Sequence, residues 1–125
     1  MKEYVIILLG AGIGGAVRHG LNSLIMRHMA TEFPLGIMFI NIVGSILMGV
    51  LVGYWAFRGE TPILARLFLT TGMLGGFTTF STFSLDAVLL HERGQSTLAL
   101  LYILGSVSFS ILGLLAGLRV QRALG

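Results

Sequence analysis

The run Thr78-Thr79-Phe80-Ser81-Thr82-Phe83-Ser84 alternates hydroxyl side chains with aromatic rings. Phe80 and Phe83 stand three apart, so on a helix they share a face. An aromatic ring is positive at its edge. Ring edges beside hydroxyl donors, here Thr79 and Thr82, attract a small anion without a full positive charge to trap it. Conduction needs that balance, because an ion must bind and also leave. Two further rows offer neutral donors at i+4 spacing. Asn41 heads the row Asn41, Ser45, Gly49, Gly53. An amide in an apolar segment is costly unless paired or wet, and it can donate two N–H bonds to an anion. Asn41 is therefore read as pore-lining, while Ser45, Gly49 and Gly53 read as a small-residue packing seam. The other row is Tyr102, Ser106 and Ser110, continued by Gly113 and Gly117. Its hydroxyls either form a polar track or bond back to their own helix carbonyls.

Upstream of the Thr/Phe/Ser run lie Gly72, Gly75 and Gly76. Three glycines followed by β-branched Thr make a poor continuous helix. A break in mid-membrane leaves carbonyls that protein, water or an ion must satisfy, and broken helices can present such carbonyls to a cation. The alternative is a glycine packing notch in an intact helix. Arg18 lies within an apolar stretch and either lines an aqueous vestibule or snorkels to the interface. Asp86 is the one acid inside an apolar segment. Its position suits helix-end solvation, with a coupling carboxylate as the other option. His19, His28 and His91 have no metal-ligand spacing and read as interfacial.

These residues need elements to hold them, and composition says which kind. Of 125 residues, 55% are hydrophobic and only 10% charged; mean hydropathy is +0.93. Soluble domains carry about 25% charged residues, and disordered chains are polar. The chain is thus read as an all-α integral membrane protein, one domain over 1–125. A span needs about 20 apolar residues, which gives four helices at about 4–26, 35–57, 63–90 and 96–118. The third is too long and too polar in the middle for a plain span, so it is expected to be broken. Arg58-Gly59-Glu60-Thr61-Pro62 forms the turn before it, with Pro62 suited to a helix start. Lys2 and the apolar run Val5–Val17 resemble a signal peptide. No small-x-small cleavage site follows, so the segment is read as a retained helix. The net charge of +3 has no basic cluster interleaved with aromatics, which argues against a nucleic-acid partner. With no Cys, thiolate metal sites and a cysteine nucleophile are excluded. An even number of spans puts both termini on one side. That side would carry Lys2, Arg58, Arg66, Arg119 and Arg122, against Arg18, Arg27 and Arg93 on the other. The bias is weak and compatible with insertion in both orientations. Four helices alone cannot enclose a wide aqueous path, so a homo-oligomer is expected, most simply a dimer.

In order along the chain stand a Gly-rich first helix containing Arg18, then Asn41-Ile42-Val43-Gly44. Gly75-Gly76-Phe77-Thr78-Thr79-Phe80-Ser81-Thr82-Phe83-Ser84 follows, and then Tyr102-x-x-x-Ser106-x-x-x-Ser110. With this set the chain resembles the Fluc fluoride channels, also called the CrcB family, over essentially its whole length. The resemblance implies an antiparallel, dual-topology homodimer with two fluoride pores in a bacterial inner membrane. It implies a structural Na⁺ at the dimer interface, held by the carbonyls of Gly75 and Thr78 from each subunit. Phe80 and Phe83 would face fluoride beside Asn41, with Tyr102, Ser106 and Ser110 as the track and Arg18 toward a vestibule. Two positions depart from the family pattern: Asp86 stands where Glu is frequent, and Ile37 where Thr is frequent. The implied function is passive fluoride export, without enzyme activity. The runner-up is a small multidrug-resistance-type proton-coupled transporter, which needs a mid-membrane carboxylate. A third reading, a structural or assembly subunit, leaves the Thr/Phe/Ser run unexplained.

Overall fold

The computed structural model describes residues 1–59 and 61–124; Glu60, in the turn expected before the third span, and Gly125 lie outside the described residues. The chain is all-helical. Helix α1 is Lys2–His28 and α2 is Leu35–Arg58. The third span is composite. It opens with α3, Ile63–Leu67, right after Pro62, widens into a π-helical segment, Phe68–Leu74, and tightens again in α4, Gly75–Phe77. Thr78 and Thr79 are extended, at φ −81°, ψ 155° and φ −150°, ψ 124°. The span resumes as α5, Phe80–Glu92, and α6 is Ser96–Leu124. Lys2–His28, Leu35–Arg58, Ile63–Glu92 and Ser96–Leu124 are each long and apolar enough to cross a membrane. The turn into α6 uses Gly94 at φ 80°, where the Gln95 N–H donates back to the Leu90 carbonyl at 2.9 Å. Only glycine adopts that conformation without strain. The last helix continues past the expected end at Leu118 and carries Arg119 and Arg122 on its final turns.

The third span is broken where hydroxyls stand, two residues beyond the glycines expected to break it. Gly72 lies inside the π-helical segment, and Gly75 and Gly76 are helical. Gly72 and Gly76 serve a different purpose. A Cβ on Gly76 would overlap the Ala11 carbonyl of α1, and one on Gly72 would sit 3.1 Å from Gly10 Cα. On the α1 side, a Cβ on Gly14 would overlap the Met73 carbonyl. Glycines on both helices therefore let two backbones touch. A second seam joins α2 to α6, as the sequence spacing led one to expect. A Cβ on Gly49 would overlap the Leu114 carbonyl, and one on Gly117 the Ile46 carbonyl. In lipid the hydrophobic effect does not drive helices together, so close backbone packing at small residues has to do so.

Tyr102, Ile40 and Leu90 are the most deeply buried large side chains, joined by Ile37, Leu74, Phe77 and Phe83. Ile37, where the family pattern suggested a hydroxyl, is thus a core residue. Outward-facing Leu8, Phe39, Leu100, Leu104 and Leu112 are exposed, the arrangement a lipid solvent rewards. At one end Arg66 lies 5.2 Å from the Trp55 ring centroid and Arg58 5.9 Å from that of Tyr54. Such aromatic and cationic pairs anchor spans at a membrane surface.

Candidate functional site

The break is held by a side chain from α2 and by its own two threonines. Asn41, on α2, clamps Thr79 with two hydrogen bonds: the Thr79 N–H donates to Asn41 Oδ1 at 2.8 Å, and Asn41 Nδ2 donates to the Thr79 carbonyl at 3.1 Å. Thr79 is itself the cap of α5, its hydroxyl accepting the Thr82 N–H at 3.2 Å. A capping hydroxyl satisfies one of the orphan donors at a helix start. On the other side of the break, the Thr78 hydroxyl and N–H both donate to the Leu74 carbonyl at 2.9 Å. Gly44 makes room for this extended break, since a Cβ there would overlap the Thr78 methyl.

Beside the break lies an open cleft of about 370 Å³ between α2, the broken span and α6. Asn41, Thr78, Thr79, Phe80, Phe83, Ser106 and Ser110 line it together, with apolar residues between them and, among the described residues, no charged side chain. Ser45, expected in the packing seam with Gly49 and Gly53, lines this cleft as well. Phe80 and Phe83 have ring centroids 5.5 Å apart. Phe83 is 7% exposed and Phe80 77%, so one ring is built into the chain and the other projects from it. The hydroxyls of Ser106 and Ser110 are both buried and have no hydrogen-bond partner among the described residues. Neither bonds back to its own helix.

Other predicted site residues are placed differently. Tyr102 is fully buried but does not reach the cleft. Its hydroxyl donates to Asp86 Oδ2 at 3.4 Å, and its ring packs on Phe83 and Phe33 at centroid distances of 5.2 and 5.6 Å. Asp86 is therefore tied across to α6 rather than simply solvated at a helix end, a pairing that i+4 spacing did not reveal. Thr82 contributes its N–H to the α5 cap and is not among the cleft residues. Arg18 is half-buried, with Nη1 3.5 Å from the Thr78 carbonyl, so it faces the break. Gly75 is exposed on the chain's surface and Thr78 is half-buried. Of the histidines, His28 contacts the Leu24 carbonyl at 3.0 Å and His91 the Ser96 hydroxyl at 2.8 Å.

Residues 5–118 match the family model described as CrcB-like protein, Camphor Resistance (CrcB). The chain belongs to the CrcB family. Among curated relatives, one from Methylobacterium nodulans is 54% identical over 100% of both chains. Another, from Rhodopseudomonas palustris (strain BisB5), is 52% identical over 97% of this chain and 98% of its own. A third, from Granulibacter bethesdensis, is 52% identical over 99% of this chain and 98% of its own. All three are named fluoride-specific ion channel FluC. The CrcB membership spans all four helices, and so covers both glycine seams, the break and the cleft.

Proposed function

We propose that this chain is a passive, fluoride-selective channel of a bacterial inner membrane, and that it lets fluoride leave the cytoplasm. The observation that carries the reading is the pair of buried, unpartnered hydroxyls, Ser106 and Ser110, in a cleft walled by Phe80, Phe83 and Asn41. Buried hydroxyls without partners are rare and costly in a fold. A track of donors for a passing anion accounts for them. The Asn41 amide has one N–H fixed on the Thr79 carbonyl, which leaves one for an ion. Ring edges, one amide N–H and hydroxyls attract an anion without holding it as a guanidinium would. A negative-inside potential drives F⁻ outward by about 2.3 kcal/mol per 100 mV. No bond is made or broken, so no enzyme activity is involved.

The working unit in this reading is an antiparallel, dual-topology homodimer. Phe80 projects from the chain and Gly75 lies on its surface; a second copy would cover both and close the open side of the cleft. Names of relatives sharing about half their residues with this chain point to the same ion. For Na⁺ at the dimer interface, the donor chemistry fits. Gly75 and Thr78 offer carbonyl oxygens, which suit a hard cation, and the Thr78 oxygen keeps a lone pair beyond the one directed at Arg18. When bound, such an ion would supply a fixed positive charge at the break. The proton-coupled transporter gains no support, because Asp86 is tied to Tyr102 and does not line the cleft.

Fluoride release from liposomes, read with a fluoride electrode after a K⁺ ionophore sets the potential, tests the proposal. Protein-containing vesicles should empty far faster than protein-free ones. Equal rates would overturn it.

A further inference from the structure

A helix that stops leaves its last four carbonyls without i+4 donors. In the third span these belong to Gly75, Gly76, Phe77 and Thr78. The two outer ones have lost their donors in a specific way. Thr79 N–H, which a continuous helix would give to the Gly75 carbonyl, is taken by Asn41 Oδ1 at 2.8 Å. Thr82 N–H, which would go to the Thr78 carbonyl, is taken by the Thr79 hydroxyl at 3.2 Å. Each of the two carbonyls is therefore kept free of its helical donor by one identifiable side-chain acceptor, and among the described residues the Thr78 oxygen has only the Arg18 Nη1 group at 3.5 Å directed at it. Asn41 also holds the Thr79 carbonyl, so the extended turn cannot wind back into the helix without breaking both bonds.

We infer that Asn41 is a positioning residue for the cation-holding carbonyls, in addition to facing the anion cleft: by capturing the Thr79 N–H it keeps the Gly75 oxygen available to Na⁺. The inference rests on the proposed Na⁺ site. It makes one amide a member of two sites of opposite charge. Oδ1 accepts from the backbone to free a carbonyl for a cation, while Nδ2 has an N–H left for an anion. The Thr79 hydroxyl plays the matching part for the Thr78 oxygen.

The test is the effect of Na⁺ on thermal unfolding and dimer fraction of the purified protein in detergent, NaCl against N-methylglucamine chloride. Wild-type protein should unfold at a higher temperature in Na⁺. Asn41→Leu removes the acceptor and should lose that upward shift. Asn41→Asp keeps an oxygen for the Thr79 N–H and should keep the shift, although its charge obstructs fluoride. Thr79→Val removes the second acceptor at almost constant shape and should also lose the shift. Phe80→Ile, which alters the cleft and neither acceptor, should keep it while flux falls. Absence of a Na⁺ shift in wild-type protein overturns the cation site and this inference with it. A wild-type shift that persists at full size in Asn41→Leu overturns the role of Asn41 alone. Should Asn41→Leu fail to fold, Asn41→Ala, which also removes the acceptor for the Thr79 N–H, takes its place, and a full shift there overturns the role of Asn41.

Discussion

Tyr102 of α6 donates its hydroxyl to Asp86 of α5 at 3.4 Å, with the Phe83 ring packed at a tilt against its own. The pair crosses from the last helix to the second half of the broken span. Tyr102→Phe strands the carboxylate without this donor and should destabilise the fold by about 1–3 kcal/mol. Asp86→Asn keeps an acceptor for the phenol, and should cost less than Asp86→Leu. Thermal unfolding in detergent ranks the three. Equal stability of all three would mean that the contact contributes nothing.

Ser106→Ala and Ser110→Ala should separate stability from conduction. Each removes a buried hydroxyl that has no partner, so the fold should be unchanged or gain up to about 1 kcal/mol. Fluoride efflux should fall. Loss of stability together with flux would show that these hydroxyls are structural.

The two rings differ in burial and should differ in what they cost. Phe80, at 77% exposed, can become Ile with little effect on the folded chain, whereas Phe83, at 7%, sits in the core and its replacement by the smaller Ile should leave a void costing about 1–3 kcal/mol. Both changes remove a ring edge from the cleft, and both should impair fluoride efflux. Wild-type efflux in both would reduce the rings to packing.

Gly76→Ala should destabilise more than its helix propensity suggests. By propensity alone, alanine gains about 1 kcal/mol over glycine in a helix. Here the added methyl meets the Ala11 carbonyl, and overpacking against backbone costs about 1–3 kcal/mol. Gly14→Ala, which meets Met73 from the other side, should behave alike. An increase in unfolding temperature in either variant would contradict the seam between α1 and the third span.

The four spans and the interruption of the third were legible because hydropathy, length and turn residues report them directly. The position of the interruption was not. Gly72 and Gly76 look like helix breakers in isolation, and only contact with Ala11 and Gly10, some sixty residues earlier, makes them packing residues instead. The break falls at Thr78-Thr79 because side chains can cap both helix ends there: Thr78 back to Leu74, Thr79 forward to Thr82, and Asn41 across to Thr79. Asn41, Ser106 and Ser110 stand out in the sequence as polar groups in apolar helices, and all three line the cleft. Tyr102 follows the same i+4 spacing, yet its long side chain carries the hydroxyl to Asp86 instead. Spacing places a Cα on a face; it does not say where the far end of a tyrosine goes.

The π-helical segment Phe68–Leu74 fixes the rotational phase of everything after it. Each residue of an α-helix turns the chain by about 100°, so the widened turns change which side chains face α1 and which face α6 without lengthening the span appreciably. Removing one residue there would let the helix tighten into regular geometry. It would also swing Thr78, Phe80 and Phe83 to another azimuth, away from Asn41 and the serine row. Length variation between sequences of this type should therefore be tolerated at the turns and absent from these seven residues.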